Sequence, residues 1–101
     1  MANVTKLIVN HPLVGTWIDE GEDSRAEFTI ASTGTGLSVT GRDVGDGEAF
    51  QISDVSWDGE VLTFTSLMPS TGYRVRHVMR ALSDGKFVEH EYTLTERWKR
   101  K

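Results

Sequence analysis

The chain has 101 residues, of which 38% are hydrophobic and 26% are charged, and it contains no cysteine. This length suits one domain, and the composition is too apolar for a disordered chain. The absence of cysteine excludes a disulfide framework and a thiolate metal site, and it favours a reducing compartment. The apolar run Leu7 to Val9 is too short for a signal peptide or a membrane span. We therefore expect a cytoplasmic protein with no membrane partner.

The net charge of −4 is unevenly distributed along the chain. Residues 1–60 contain 3 Lys/Arg and 11 Asp/Glu, whereas residues 61–101 contain 8 and 4. Opposite charges on the two halves of a closed sheet attract each other. A net acidic chain is a poor general binder of nucleic acid, so we expect no such partner and interpret the basic tail, Arg97 to Lys101, as solubilising.

The predicted elements are all strands. Glycines separate runs rich in Val, Ile, Thr, Phe and Tyr, and no stretch beyond the first dozen residues has helical periodicity. Closure removes the open edges that would favour aggregation. We predict an all-β antiparallel meander that closes into an up-and-down barrel of about seven or eight strands behind a short N-terminal capping segment. The predicted strands are 14–20, 25–31, 36–42, 48–57, 60–67, 72–82 and 86–97.

The last hairpin has a predicted register. Asp84-Gly85 is a dipeptide typical of a two-residue type I′ turn, which needs positive φ at both central positions. That turn places apolar and aromatic side chains on one face of the hairpin and charged ones on the other. The predicted inward pairs are Met79–His90, His77–Tyr92 and Val75–Leu94, and the outward pairs are Arg80–Glu89, Val78–Glu91 and Arg76–Thr93.

The same turn chemistry at Asp58-Gly59 predicts a second hairpin. Its register turns Phe50 and Ile52 outward, which indicates either a β-bulge that switches the parity of the strand or a second contact surface. The predicted pairs are Trp57–Glu60, Val55–Leu62 and Ser53–Phe64.

The first predicted strand opens with Val14-Gly15-Thr16-Trp17, and Arg97 stands at the end of the last strand. This arrangement resembles the Gly-x-Trp signature of the calycin superfamily, which includes lipocalins, cytoplasmic fatty-acid-binding proteins and small bacterial lipocalin-like barrels. The resemblance implies that Trp17 plugs the closed end of a barrel and that Arg97 packs across it. It also implies that the segment His11 to Val14 caps the barrel floor.

The inward face of the last hairpin carries the candidate ligand site. Apolar walls with a few polar groups are typical of a binding pocket, and they predict non-enzymatic binding of a small apolar or amphipathic molecule. A filled core in which His77 and Tyr92 satisfy each other's hydrogen bonds is the alternative. The polar candidates are Tyr73, His77, His90 and Tyr92, and the apolar candidates are Phe28, Phe64, Val75, Met79 and Leu94.

Other functions have weaker support in the sequence. His77 and His90 are expected as diagonal neighbours, but no third ligand is identifiable, so we predict neither a metal nor another cofactor. The hypothesis of an enzyme that uses His77 as a general base is supported only by the predicted inward position of that histidine. Outward Phe50, Ile52 and Val78 support a different class, a filled structural or interaction module whose outer surface binds a protein partner or a second copy of the chain.

Overall fold

The computed structural model describes residues 11–19, 21, 25–34 and 36–101. Its strands confirm the predicted all-β antiparallel meander, because each strand pairs with a chain neighbour and runs antiparallel to it. All seven predicted strands are present, with ends that differ by up to three residues from the predicted ones. They are β1 (Gly15–Ile18), β2 (Ala26–Thr33), β3 (Gly36–Asp43), β4 (Gln51–Trp57), β5 (Val61–Met68), β6 (Tyr73–Ala81) and β7 (Val88–Thr95).

The strands form two sheets, β1-β2-β3 and β4-β5-β6-β7. An isolated bridge between Arg42 and Ala49 joins them, and the amide of Phe50 donates to the carbonyl of Gly41 over 2.9 Å. Within the described residues, β1 pairs only with β2 and β7 pairs only with β6. The described strands therefore do not complete the ring of hydrogen bonds that defines a closed barrel.

The connection between the two sheets is held by Asp43, a buried residue at the end of β3. Its carboxylate accepts a hydrogen bond from the amide of Gly45 at 2.7 Å and forms an ion pair with Arg25 at 3.0 Å. The Gly45 hydrogen bond, and after it the Arg25 charge, lower the pKa of the Asp43 carboxyl despite the opposing effect of burial. The carboxylate thus stays charged and fixes the loop that leads from one sheet to the next.

The core lies between the inner faces of both sheets. A Cβ at Gly41 would come within 2.6 Å of the Phe28 ring, so glycine is what permits the ring to lie across β3. Phe50, Ile52 and Trp57 pack against this core from β4 and the residue before it. The buried hydrophobic residues are Leu13, Phe28, Ile30, Leu37, Val39, Leu62, Phe64 and Met79.

The register of the β6–β7 hairpin confirms all six predicted pairs. The turn conformation was predicted wrongly: Gly85 has φ of 70°, but Asp84 does not have positive φ. The amide of Gly85 donates to the carbonyl of Leu82, which is the bond of a type I turn, and Gly85 then takes the left-handed conformation. The Asp84 carboxylate stabilises this turn by accepting from the amides of Lys86 and Phe87.

The register predicted for the β4–β5 hairpin was wrong. Trp57 pairs with Leu62, not with Glu60, because the Asp58 carboxylate accepts from the amides of Glu60 and Val61 and opens the turn into a longer loop. These two bonds also lower the pKa of the Asp58 carboxyl.

A bulge between Ser53 and Ser56 then shifts the pairing of the β4–β5 hairpin. The bulge was one of the two predicted alternatives, and it turns Phe50 and Ile52 inward against the core. Val55, which was predicted to face Leu62, lies within the bulge and is 42% exposed.

Some sequence-based interpretations fall outside the described residues. The first predicted strand, 14–20, ends at a residue that is not described, and the run Leu7 to Val9 is also outside the described part of the chain. Among the residues that are described, no helix is long and apolar enough to cross a bilayer.

Candidate functional site

Four rings stack along the inner face of the second sheet, in the order Phe64, His77, His90 and Tyr92. Their centroids are 4.4, 5.1 and 5.4 Å apart, and neighbouring planes differ by 16°, 13° and 26°. Strand alternation puts the four side chains on one face, because Phe64, His77 and Tyr92 are direct cross-strand neighbours and His90 is diagonal to His77. The ring of Phe28 meets His77 edge-on at 4.7 Å from the first sheet. The stack therefore runs from the buried core to the exposed edge of β7.

Within the stack, three polar side chains form one hydrogen-bonded series. Ser66 Oγ lies 2.8 Å from His77 Nε2, and His77 Nδ1 lies 2.8 Å from His90 Nε2. Both nitrogens of the buried His77 are thus engaged. Among the described residues, His90 Nδ1 has no hydrogen-bond partner.

Both imidazoles are neutral at physiological pH. Burial is the largest cause, and together with the neighbouring His90 and Arg76 it lowers the pKa of His77 to about 3. Burial also lowers the pKa of His90, against the opposing charge of the Asp19 carboxylate. A neutral imidazole has one donor and one acceptor nitrogen, so each member of the series carries a defined direction of hydrogen bonding.

A cleft of about 1120 Å³ lies beside the stack. Thr16, Trp17 and Ile18 of β1 form one wall, and the β6–β7 hairpin forms the other. The lining is mostly apolar, and its charged side chains are Asp19 and Lys86. The other residues that line the cleft are Gly21, Ala26, Phe28, Val75, His77, Met79, Leu82, Phe87, Val88, His90 and Tyr92.

A second, smaller cavity of about 140 Å³ lies on the other side of His77. Its lining is apolar apart from Ser66, Tyr73 and His77, and it shares Ala26, Phe28, Val75 and His77 with the cleft. The remaining residues that line it are Phe50, Met68 and Leu94.

The structure brings the predicted site residues together. Six of the nine line the cleft: Phe28, Val75, His77, Met79, His90 and Tyr92. Tyr73 and Leu94 line the smaller cavity instead, and Phe64 is fully buried beneath His77, in contact with neither space. The hydrogen bond between His77 and Tyr92 that belonged to the alternative of a filled core is not formed, because Ser66 and His90 take both nitrogens of His77.

Two parts of the site were missed. Ser66 has a readable signal, since it alternates with Leu62 and Phe64 and is therefore the polar residue on an inward face. The cleft wall from Thr16 to Ile18 has no such signal, because its position opposite β7 depends on contacts distant in sequence.

Trp17 and Arg97, the two residues that carry the family resemblance, have separate surroundings. The indole Nε1 of Trp17 donates to the carbonyl of Leu13 over 2.8 Å, and the ring packs against the core. The Arg97 guanidinium lies about 4 Å from the position a Cβ would take at Gly72, beside the β5–β6 turn. The C-terminal tail is exposed, and the indole of Trp98 donates to Glu96.

Metal-ligating side chains are scattered: in the described part of the chain, no three His, Asp or Glu residues are grouped to hold an ion. Arg80 pairs with Glu89 at 3.5 Å and Glu91 at 3.4 Å on the outer face, as the cross-strand register predicts.

No family model, curated protein or solved structure matches the chain. The class of protein is thus defined by its own geometry, an antiparallel β meander with a mostly apolar cleft beside a neutral histidine pair.

Proposed function

We propose that the protein is a binding protein that holds a small apolar or amphipathic molecule in the cleft between β1 and the β6–β7 hairpin. The observation that carries this proposal is the cleft of about 1120 Å³ with mostly apolar walls and a few polar groups. Its volume is slightly above the usual range for small-molecule sites, and its combination of apolar walls with a few polar groups is typical of them. Val75, Met79 and Phe28 would contact the apolar part of the molecule, and His90 and Tyr92 would orient its polar part.

We also propose that the meander is a calycin-like barrel whose wall is open between β1 and β7. The Gly15-Thr16-Trp17 motif at the start of the first strand and the meander order within each of the two sheets support this. The absence of cysteine supports a cytoplasmic location. In this arrangement the ligand site is the barrel interior, and the opening gives access to it.

The test uses the uncharged fluorescent probe N-phenyl-1-naphthylamine and a matched pair of variants. Val75 lines both cavities, whereas Val78 lies on the opposite face of the same strand and is likewise half-buried. Val75→Trp fills the cleft and should weaken probe binding by about tenfold, while Val78→Trp should change it by less than about twofold. Thermal unfolding of each variant checks that the fold is retained.

A probe that fails to saturate the wild-type protein would overturn the proposal, as would equal effects of the two tryptophans. Native mass spectrometry of protein purified from its own host adds an independent arm, in which a co-purifying small molecule is expected.

A second candidate function, homodimerisation, has one observation in its favour. Among the described residues β7 has no partner on the side away from β6; this strand carries Tyr92 at 66% and Leu94 at 44% exposure, and Phe87 precedes it at 44%. A free strand edge with apolar side chains can pair with the same edge of a second copy. Phe50 and Ile52 give it no support, since they pack inward. Size-exclusion chromatography with light scattering separates the candidates, because a strict monomer with a saturable cleft excludes the dimer.

A further inference from the structure

The hydrogen-bonded series Ser66–His77–His90 ends in the cleft, and its direction determines what the cleft recognises. Each of its two bonds can run either way, because neutral imidazoles exist as two tautomers. If Ser66 donates to His77 Nε2, the proton of His77 is on Nδ1 and is donated to His90 Nε2. His90 then carries its own proton on Nδ1, facing outward. If the series runs in reverse, His90 Nδ1 is a bare acceptor.

The surroundings of Ser66 choose between these directions. Ser66 is buried, and among the described residues the only hydrogen-bond partner of its hydroxyl is His77 Nε2. In the reverse direction this hydroxyl would accept from His77, and its own proton would have no acceptor. A buried donor without an acceptor costs about 1–3 kcal/mol, whereas the forward direction leaves every proton of the series satisfied as far as His90.

A water molecule in the small cavity is a poor substitute acceptor for the Ser66 proton. Buried waters generally make two to four hydrogen bonds. Apart from Ser66 and His77, which already bond each other, the only polar side chain among the described residues that line this cavity is Tyr73. The forward direction is therefore favoured by the packing around Ser66.

We propose that His90 presents an Nδ1–H donor to the cleft and selects ligands that carry a neutral hydrogen-bond acceptor, such as a ketone, ester or amide carbonyl on an apolar skeleton. This inference rests on the proposed binding function and names its ligand class. Ser66 acts as a positioning residue for this selectivity. Its hydroxyl sets the tautomer of the His90 ring through His77, without contacting His90 itself.

The charges around His90 favour a neutral acceptor over an anionic one. Asp19 lines the same cleft and is the charged group whose field acts on His90. A carboxylate ligand would meet this negative charge, whereas a carbonyl accepts the Nδ1–H bond without the repulsion. Lys86 also lines the cleft, but it is four residues nearer the turn than His90.

The first experiment measures the tautomers in the protein without ligand. Long-range ¹H–¹⁵N correlation spectra at pH 7.5 distinguish a protonated ring nitrogen from a bare one, because the bare nitrogen resonates far downfield. We expect protonated Nδ1 and bare Nε2 in both His77 and His90. Ser66→Ala should convert His90 to a mixture of tautomers, Ser66→Thr should restore the single form, and Thr65→Ala on the opposite face should have no effect. Bare Nδ1 atoms in the wild-type protein would overturn the proposal.

The second experiment compares matched ligands by calorimetry. The ketone 2-acetylnaphthalene carries a carbonyl, 2-ethylnaphthalene has nearly the same shape without an acceptor, and 2-naphthoate carries a charge. The ketone should bind about fivefold tighter than the hydrocarbon, equivalent to about one net hydrogen bond, and tighter than the carboxylate. Ser66→Ala should reduce the preference for the ketone while leaving the affinity for the hydrocarbon unchanged.

The two experiments separate the inference from the function on which it rests. If the tautomers are as expected but no naphthalene binds, the proposed binding function is wrong and the ligand class falls with it. If all three bind and the ketone has no advantage, binding stands and the assigned selectivity is wrong.

Discussion

The two hairpins of the second sheet end in the same Asp-Gly dipeptide but are built differently. The β6–β7 hairpin pairs without interruption from Ala81–Val88 to Arg74–Thr95. The β4–β5 hairpin loses its register between Ser53 and Ser56. One hairpin carries the exposed side of the ring stack, and the other supplies its buried base.

The bulge in β4 has a packing reason. Ile52 and Trp57 are five positions apart in the sequence. Because this spacing is odd, a regular strand would turn their side chains to opposite faces. Both nevertheless pack against the core. The bulge allows this because it shifts the pairing by one residue, so that both side chains point to the same face of the sheet. The backbone strain of the bulge lies at Asp54, whose φ is 53°. The comparison teaches that the burial of two side chains at opposite ends of a strand, both against one core, can override the register that the turn prefers.

The largest difference in stability between variants of the two hairpins is expected for substitutions at the two ends of the ring stack. Phe64 is 0% exposed in β5, whereas Tyr92 is 66% exposed in β7. Phe64→Ala should lower the free energy of unfolding by about 3–5 kcal/mol, because it leaves a cavity beneath His77. Tyr92→Ala should cost less than about 1 kcal/mol. Urea unfolding measures both, and equal losses would mean that the two hairpins are buried alike.

The next largest effect is a pH dependence that belongs to the β6–β7 hairpin. The pKa of His77 in the folded protein, about 3, is well below the value of 6.5 expected when unfolded. As the pH falls below 6.5 the unfolded chain therefore binds protons that the folded protein does not, and stability is lost. The loss should be on the order of 1 kcal/mol per pH unit for His77.

Urea midpoints between pH 6.5 and 5 test this dependence before most carboxylates titrate. The double variant His77→Gln/His90→Gln should show a much flatter profile than the wild-type protein, and above pH 7.5 both profiles should be level. A wild-type profile that is flat over the acidic interval would contradict the burial assigned to the histidine pair.

A smaller effect should have opposite signs in the two hairpins. Asp54→Gly removes the cost of positive φ from the bulge and should stabilise the protein by about 0.5–1 kcal/mol. Asp84→Gly removes the carboxylate that accepts from Lys86 and Phe87 in the other hairpin and should destabilise it by about 1 kcal/mol. Thermal unfolding of the two variants compares them, and destabilisation by both would mean that the positive φ of Asp54 carries no cost in the bulge.

The smallest effect is expected for Trp57→Phe, at the turn end of the β4–β5 hairpin. The indole Nε1 of Trp57 is buried without a partner among the described residues, while its ring meets His11 edge-on at 4.9 Å. Losing the ring area and removing the unsatisfied donor should largely offset each other, for a net change within about 1 kcal/mol. A much larger loss of stability in urea would mean that this N–H has a partner.

The sequence predicts the fold where local chemistry and alternation agree. The pairs from Val75–Leu94 to Met79–His90 follow from the position of the turn and a period of two, and no distant contact alters them. In β4 the same reasoning fails, since the competition between Ile52 and Trp57 for one core is decided by tertiary packing. Closure between β1 and β7 is likewise a long-range question that no local pattern encodes.

The candidate site is predictable to the same extent. Alternation identifies which residues face inward, so His77, His90 and Tyr92 are recognisable together. The partners of His77 are not, because ring rotation decides whether its nitrogens meet Ser66 and His90 or Tyr92. The volume beside the stack depends on where Trp17 and Ile18 lie, which strand alternation in β7 does not determine.

The most direct test of the binding cleft is an amide and indole NMR titration with 2-acetylnaphthalene. Trp17 lines the cleft, whereas Trp57 lies outside its lining and serves as an internal control. We predict saturable shifts of the Trp17 indole and of the His90 and Val88 amides, with the Trp57 indole and the Val78 amide unchanged. Shifts confined to the outer face around Val78, or no saturable shift at all, would contradict the account.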